Sequence, residues 1–220
     1  MVKKDGAEKE IKAVLFDIGG VLQLGGKMRR SPKDVHVSGV HEFIANKLNI
    51  TIDQYLDSID SAYAKSIEGQ ISKSVLLGIL SLNLNYPKYK LEKLYKSAYK
   101  ARFKRNDWLY GVAKQLKKRG YKIGILSDQW HLSKDALIPK KDQIIFDEVA
   151  ISCDDGMRKP HKEYYDYILK KMNLSPEEVI FIDNQEWNIV PAHKLGMKTI
   201  LFTDNKKVKE QLAHWGIYVR

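Results

Sequence analysis

Four side chains could together process a phosphate ester, and three of them stand at the ends of apolar runs. Asp17 closes the run VLF and is followed by the flexible pair GG, while Ser127 follows YKIGIL. Lys159 lies in GMRKP, and Asp183 closes VIFI. A carboxylate can attack phosphorus, hydroxyl and ammonium groups can bind its oxygens, and a further carboxylate can hold a hard metal ion. Together these groups predict phosphoryl-transfer chemistry.

Asp17 is the candidate nucleophile, and its chemistry requires positive charge nearby. A carboxylate and a phosphate dianion repel each other, so attack requires that a magnesium ion and a lysine offset the negative charge. Lys159 is the candidate lysine, and Asp183 offers an oxygen ligand to Mg²⁺. The simpler alternative is that Asp17 only caps the following turn. The presence of all four groups in this order favours catalysis over that alternative.

Short apolar runs with the composition of buried strands precede the residues of chemical interest. In chain order these runs are Ile11–Phe16, Tyr121–Leu126, Glu148–Ile151, Val179–Ile182 and Thr199–Phe202. Helical periodicity separates several of them, at Asp107–Arg119, His161–Met172 and Glu186–Leu195. This alternation favours an α/β fold, a Rossmann-like parallel sheet with helices on both faces. Ligands bind beyond the carboxyl ends of such strands, where these residues stand: Asp17, Ser127, Asp183 and Asn184.

Residues 33–105 interrupt the alternation, because they show only helical periodicity. We therefore predict an inserted helical module at 33–105 between two parts of an α/β core, residues 1–32 and 106–220. Ser31 as N-cap, Pro32 at the first helical position and Asp34 in the first turn predict where the module's first helix begins.

The last part of this module is strongly basic. Residues 88–105 contain eight Lys or Arg residues and one acid, Glu92. Apolar residues recur there at helical spacing with lysines between them, at Leu91, Leu94, Tyr95 and Ala98. This pattern is typical of an amphipathic helix with a solvated basic face. The alternative is a nucleic-acid surface on which the tyrosines stack, and the expected packing of those tyrosines against the core argues against it.

Composition argues against several other classes of protein. The single cysteine, Cys153, cannot form an internal disulfide and belongs to no CxxC pair. The histidines form neither an HExxH nor an HxxxH pattern, so no zinc site is expected. We see no apolar leader and no apolar stretch of membrane length, and we expect a cytoplasmic protein. The net charge of +11 would attract polyanions or small anionic substrates, and by itself it indicates neither a fold nor a chemistry. The oligomeric state is not predicted.

The order of the chemical residues resembles the four motifs of the haloacid dehalogenase superfamily. The resemblance covers nearly the whole chain and is strongest from SCDDGMRKPHKEYYDYIL through VIFIDNQEWNIVPAHKLGMKTILF. This part is similar to sugar-phosphate phosphatases of the family and to the phosphatase domain of soluble epoxide hydrolases. The helical insertion after the first motif resembles the family's cap of the first type, and EGQIS at 68–72 resembles a piece of those caps.

The resemblance implies a magnesium-dependent phosphatase that hydrolyses a small phosphorylated metabolite through an aspartyl-phosphate intermediate. Asp17 would be the nucleophile, with Lys159 as the second catalytic residue. The implied phosphate-binding residues are Ser127, Asp128 and Lys159. The implied Mg²⁺ ligands are Asp17, the carbonyl of Gly19, Asp183 and Asn184.

Three positions depart from the pattern of the family's phosphatases. Gly19 stands where a second aspartate usually protonates the leaving alcohol, so we expect aryl phosphates and sugar 1-phosphates to react faster than alkyl phosphates. Asn184 replaces an anionic metal ligand by a neutral amide oxygen. Asp128, where relatives often have asparagine, could restore that carboxylate or instead face a helix N-terminus or solvent. If another residue serves as the acid, Asp128 and His131 are the first candidates.

Two other functions are compatible with these residues. A non-catalytic phosphate-binding or regulatory protein of the same family would fit the three departures. A 2-haloacid dehalogenase would use Asp17 on carbon without a metal, and Gly19 argues against it because those enzymes usually have tyrosine at that position. The module and the loop at 20–30 would select the substrate, and the basic residues of that loop could meet an anion or be solvated: Lys27, Arg29 and Arg30.

Overall fold

Strands and helices alternate along the chain, apart from one helical stretch near its middle. The computed structural model describes residues 9–25, 29–31, 34–36 and 39–220. The strands are β1 (Ala13–Phe16), β2 (Gln23–Gly25), β3 (Arg29–Ser31), β4 (Asp34–His36), β5 (Phe103–Arg105), β6 (Lys122–Ser127), β7 (Glu148–Ile151), β8 (Val179–Asp183) and β9 (Lys198–Leu201). The helices are α1 (Val40–Leu48), α2 (Ile52–Ile67), α3 (Lys73–Asn83), α4 (Lys88–Arg102), α5 (Asp107–Lys118), α6 (His131–Leu137), α7 (Lys140–Gln143), α8 (Ser152–Asp155), α9 (Lys162–Met172), α10 (Glu186–Lys194) and α11 (Asn205–His214).

A five-stranded parallel sheet forms the core, in the order β7-β6-β1-β8-β9. This arrangement confirms the predicted fold class, and each predicted core strand is present within two residues of its expected bounds. The residues of β1 and β8 are all buried, because helices cover both faces of the sheet. Since β1 is the central strand, the residues that follow it lie between the carboxyl ends of β6 and β8.

The module helices, α1–α4, lie between β4 and β5 in the chain. β2 and β5 pair antiparallel, so the chain approaches and leaves this region side by side. The predicted amphipathic pattern of α4 is confirmed, since Leu91, Tyr95 and Ala98 are buried and its lysines are exposed. Tyr99 is buried as well, which leaves Tyr89 as the exposed tyrosine of α4. This burial removes most of the stacking surface that nucleic-acid binding by α4 would need.

The predicted start of the first module helix is wrong. Ser31 pairs with Asp34 in the antiparallel hairpin of β3 and β4, and the first helix begins at Val40. Pro32 lies outside the described residues. A residue before proline is disfavoured in the helical region and prefers extended backbone, which explains why Ser31 lies in a strand. β4 and β5 also lie within 33–105, where the sequence pattern predicts helices alone.

A close backbone approach joins the module helices to the core. A Cβ on Gly69 would lie 3.0 Å from Cα and 3.1 Å from N of Gly156. Nearby, Nε2 of His131 donates to the carbonyl oxygen of Ile71 at 3.0 Å, and the His131 backbone N–H donates to Oγ of Ser66 at 3.2 Å. The segment EGQIS therefore forms part of the junction between the module helices and the core.

No helix in the described part of the chain is both long enough and apolar enough to span a lipid bilayer.

Gly69→Ala should destabilise the protein more than Gly120→Ala does. Both glycines have left-handed backbone, with φ of 68° and 89°, where an alanine costs roughly 1–2 kcal/mol. Only at Gly69 would the new Cβ meet backbone atoms, because nothing lies within 4 Å of the position at Gly120. We expect the free energy of unfolding to fall by about 1 kcal/mol more for Gly69→Ala. Chemical denaturation measures both losses, and equal values would contradict the close approach.

Candidate active site

β1 delivers Asp17 to the carboxyl edge of the sheet. The Asp17 backbone N–H donates to the carbonyl oxygen of Ile182 in β8 at 2.9 Å, which continues the strand pairing by one residue. The chain then turns at Gly20, which has φ of 84°. A Cβ on Gly20 would lie 2.2 Å from Nδ2 of Asn184. Glycine is therefore required at position 20, both for the backbone angle and for the close approach of Asn184.

Lys159 joins the ends of β1 and β8 through two short ion pairs. Its Nζ lies 2.9 Å from Oδ1 of Asp17 and 2.6 Å from Oδ2 of Asp183. The Lys159 side chain is 1% exposed, and those of Asp17 and Asp183 are 9% and 0% exposed. A lysine so deeply buried requires opposite charge and hydrogen-bond partners, and the two carboxylates supply both.

Burial shifts the pKa values in this cluster. Desolvation raises the pKa of Asp17 to about 6, against the opposing effect of the Lys159 charge. Burial by itself would lower the pKa of Lys159, but the surrounding carboxylates, Asp17 foremost, outweigh it and raise that pKa above its usual range. At neutral pH Lys159 is therefore charged and Asp17 is mostly ionised.

Asn184 presents a buried oxygen that fits a metal ion. Oδ1 of Asp183 accepts the Gln185 backbone N–H at 2.7 Å, and Oδ2 accepts Nζ of Lys159 and Nδ2 of Asn188, the latter at 3.0 Å. Oδ1 of Asn184, in contrast, is buried without a hydrogen-bond partner. An unsatisfied buried acceptor costs about 1–3 kcal/mol, and a cation would remove that cost.

The predicted metal ligands thus fall into two groups. Asp17, Gly19 and Asn184 all line one pocket, whereas Asp183 is fully buried and its two oxygens already accept hydrogen bonds. Carboxylate, carbonyl and amide oxygens are the ligands that Mg²⁺ prefers. The donor set therefore fits Mg²⁺, and the Asp183 carboxylate also holds Lys159 in place.

Gln129 positions the hydroxyl of Ser127. Nε2 of Gln129 donates to Oγ of Ser127 at 3.0 Å, and Ser127 is fully buried at the end of β6. The Gln129 backbone is fixed in turn, since its N–H donates to Oγ of Ser152 at 3.0 Å and its carbonyl accepts from that Oγ at 3.1 Å. The sequence interpretation missed Gln129 and Asn188. Gln129 lies on the loop after β6 and Asn188 on the helix after β8, and these positions were the sequence signal that could have identified them.

Asp128 lines the pocket, whereas His131 lies outside it. Oδ1 of Asp128 accepts the Lys159 backbone N–H at 3.1 Å, and Oδ2 lies 3.8 Å from Nε of Arg158. These contacts direct both oxygens of Asp128 to residues 158 and 159. The replacement by Asp128 of the carboxylate that is absent at position 184 stays a prediction. His131 is held by Ile71 at the junction, which removes it as a candidate acid.

A cavity of about 290 Å³ lies above Asp17 and Lys159, between the core and the module helices. Its polar part comes from the core and includes Asp17, Gly19, Asp128, Gln129, Arg158, Lys159, Asn184, Gln185 and Asn188. Its apolar part includes Val40, Tyr63, Ile67, Tyr99, Phe103, Trp130, Leu137 and Trp187. Of the loop residues considered as substrate contacts, Lys27 and the side chains of Arg29 and Arg30 lie outside the described part of the chain. The arrangement places a carboxylate, an ammonium group and an amide oxygen without a partner at one end of a pocket whose apolar part is mainly aromatic.

This chain belongs to the haloacid dehalogenase-like hydrolase family, whose family model matches residues 11–196. It is 27% identical to bifunctional epoxide hydrolase 2 of Mus musculus over 92% of this chain and 38% of that protein. It is 36% identical to glyceraldehyde 3-phosphate phosphatase of Methanocaldococcus jannaschii over 42% of this chain and 41% of that protein. The matches therefore span less than half the length of these curated relatives.

Among solved structures, the chain is similar to a HAD family enzyme, BT-2542 of Bacteroides thetaiotaomicron. The TM-score is 0.74 at 17% identity, covering 93% of this chain and 99% of that one. A further structure of BT-2542 contains magnesium and inorganic phosphate. Its TM-score is 0.68 at 18% identity, covering 86% of this chain and 93% of that one. These likenesses confirm the predicted fold.

Asn184→Asp should tighten Mg²⁺ binding, because it replaces the unpartnered amide oxygen by a charged one. We expect the dissociation constant, measured by titration calorimetry, to fall roughly tenfold, or about 1.4 kcal/mol. Asn173→Asp, at an exposed residue that does not line the pocket, is the control for the added charge. Equal tightening in both variants would show a general effect of charge and would argue against Asn184 as a ligand.

Proposed function

We propose that this protein is a magnesium-dependent phosphatase that hydrolyses a small phosphorylated metabolite through an aspartyl-phosphate intermediate on Asp17. The observation that carries the proposal is the buried Lys159 between Asp17 and Asp183, beside the unpartnered oxygen of Asn184. Phosphatases among its relatives support the same class of reaction, including the glyceraldehyde 3-phosphate phosphatases of Methanocaldococcus jannaschii and Pyrococcus furiosus. BT-2542 contains magnesium and phosphate, but at its low identity to this chain it indicates the fold alone.

In the proposed reaction, a carboxylate oxygen of Asp17 attacks phosphorus and the bond from phosphorus to the ester oxygen breaks. The electron pair leaves with that oxygen, which takes up a proton. Water then hydrolyses the aspartyl phosphate, which releases inorganic phosphate and restores Asp17. The charge of Lys159 and the hydroxyl of Ser127, oriented by Gln129, stabilise the negative phosphoryl oxygens. Bound Mg²⁺, held by Asp17, the Gly19 carbonyl and the 183–184 pair, would supply further positive charge.

We further propose that the two predicted parts of the chain have different functions. The core, 1–32 and 106–220, would carry the chemistry, and the module, 33–105, would cover the pocket and exclude water. The module contributes Val40, His41, Tyr63, Ile67 and Tyr99 to the cavity. Substrate selection would therefore depend on side chains from both parts.

Asp17→Asn should reduce phosphate release to the background rate without loss of folding, because it removes the nucleophile and keeps the shape of the side chain. Phosphate release from a panel of phosphorylated metabolites with and without Mg²⁺ measures the effect, and circular dichroism checks the fold. Asp166→Asn, on the exposed face of α9, is the matched control and should retain the rate.

Undiminished release by Asp17→Asn would refute the mechanism. If the natural protein binds phosphate but hydrolyses no ester in the panel, the alternative of a non-catalytic phosphate-binding protein is supported instead.

Gly19→Asp should increase the hydrolysis of alkyl phosphates relative to aryl phosphates. Gly19 has no positive φ, and a Cβ there would meet only Nε2 of Gln129, at 3.8 Å, so neither the backbone angle nor a contact of the Cβ opposes a side chain. A general acid contributes roughly 10²–10⁴-fold to rate, and we expect at least about a tenfold gain for alkyl esters. Gly19→Asn, which has similar size and no acidic proton, should give no gain. The same gain from both variants would show that the effect is steric.

A further inference from the structure

The walls of the pocket differ in chemistry from its catalytic end. The catalytic end is polar, whereas the walls carry Tyr63, Tyr99, Phe103, Trp130 and Trp187 together with aliphatic side chains. We propose that the substrate is an aryl phosphate, a phosphate monoester of a phenol-type hydroxyl on a small, flat, apolar body. This inference rests on the proposed phosphatase function and selects one of the two ester classes, aryl phosphates and sugar 1-phosphates, that the leaving-group argument left open.

The aromatic walls form a packed array. The rings of Tyr63 and Trp130 lie with centroids 5.0 Å apart and an interplanar angle of 57°. Nε1 of Trp130 donates to the hydroxyl of Tyr99 at 2.7 Å. The polar atoms of Trp130 and Tyr99 are therefore hydrogen-bonded to each other. Trp130 and Tyr99 are themselves buried, so the aromatic surface that a ligand meets comes mainly from Tyr63, Phe103 and Trp187, and it favours contact with another ring.

Two polar side chains on the walls, His41 and Ser133, are also engaged with the protein. Nδ1 of His41 lies 3.0 Å from the hydroxyl of Tyr55, and burial lowers the pKa of His41 to about 4, so the imidazole is neutral. Oγ of Ser133 donates to the Trp130 carbonyl at 3.0 Å. A sugar in this space would bring several hydroxyls that each need a partner, and these groups of the described chain already have one.

The groups near the leaving oxygen point to the same class of ester. Position 19 offers no acidic proton, and the side chain nearest to it, Gln129, is an amide that does not act as an acid. Asp128 accepts the Lys159 backbone N–H and faces Arg158. A phenol ionises near pH 10, roughly like tyrosine, whereas an alkanol ionises roughly as water does, near 15.7. A phenolate can therefore leave without prior protonation, and an alkoxide cannot do so readily.

The size of the cavity limits the body of the substrate. Its volume of about 290 Å³ lies at the lower end of the range of roughly 300–1,000 Å³ that is usual for small-molecule sites. A volume of this size suits a body of one or two fused rings. Trp187, 45% exposed on α10, stands at the edge of this cavity and is the wall residue that can be changed with least risk to folding.

Four esters test separately whether the substrate body must be aromatic and whether the leaving group must be acidic. Phenyl phosphate combines an aromatic body with an acidic leaving group, and benzyl phosphate has the aromatic body with a basic leaving group. Glucose 1-phosphate combines a polar body with an acidic leaving group, and glycerol 3-phosphate is unfavourable in both respects. We expect kcat/KM to be highest for phenyl phosphate, exceeding each of the other three by roughly tenfold or more. Rates for glucose 1-phosphate equal to or above those for phenyl phosphate would overturn the proposal.

Trp187→Ala tests the role of the aromatic wall. It should raise KM for phenyl and benzyl phosphate by roughly fivefold and leave KM for glucose 1-phosphate within about twofold, because stacking on an aromatic ring is lost. Trp187→Phe should restore most of the loss. Tyr218→Ala, at a ring that is 73% exposed and does not line the cavity, is the control and should change neither value. Equal increases for all esters would overturn the assignment.

Binding of phenylphosphonate, a non-hydrolysable aryl analogue, keeps the two proposals distinguishable. If calorimetry shows binding that depends on Trp187 while no ester is hydrolysed, the aromatic specificity stands and the phosphatase function fails. If esters are hydrolysed through Asp17 without preference for aromatic bodies, the function stands and the substrate assignment fails.

Discussion

The buried ammonium group of Lys159 is the constraint on which the site depends. With 1% of its side chain exposed, it has lost most of its hydration, and only the carboxylates at 2.9 and 2.6 Å make that loss tolerable. Those carboxylates belong to Asp17 and Asp183, at the ends of two neighbouring strands. Because β1 pairs with β8 in parallel, the two strands must end at the same edge, and one lysine can bridge them. The parallel pairing of β1 and β8 therefore also determines which charges lie together in the site.

The same ion pairs determine what the neighbouring groups can do. Since the oxygens of Asp183 accept hydrogen bonds from Lys159, Asn188 and the Gln185 backbone, the oxygens without a partner beside them are Oδ1 of Asn184 and Oδ1 of Asn188. The Asn184 side chain in turn occupies the space that a Cβ on Gly20 would need. Gly20 is therefore required by the fold, whereas Gly19 next to it has room for a side chain. The absence of an acid at position 19 is thus a chemical property of the site and not a consequence of packing.

The module helices and the pocket are coupled because the same residues serve both. Trp130 and Tyr99 form a wall of the cavity, and their hydrogen bond also ties the core to α4. Arg158 lines the cavity and lies 3.6 Å from Glu68 in the segment EGQIS. A change in the position of the module would therefore alter the aromatic walls at the same time as the access of water to Asp17.

The sequence by itself determined the sheet and the residues at its edge. Short β-branched runs can bury both faces only inside an α/β layer, so the strands ending near Asp17, Ser127 and Asp183 were predictable from local composition. The helix start at Ser31 was predicted wrongly, because a local signature was assigned without knowing that the chain pairs with itself there. Only the tertiary structure showed that Gln129 orients Ser127, that Asp183 is saturated with donors, and that aromatic rings line the pocket. These facts depend on side-chain contacts between elements distant in the chain, and no periodicity in the sequence encodes such distances.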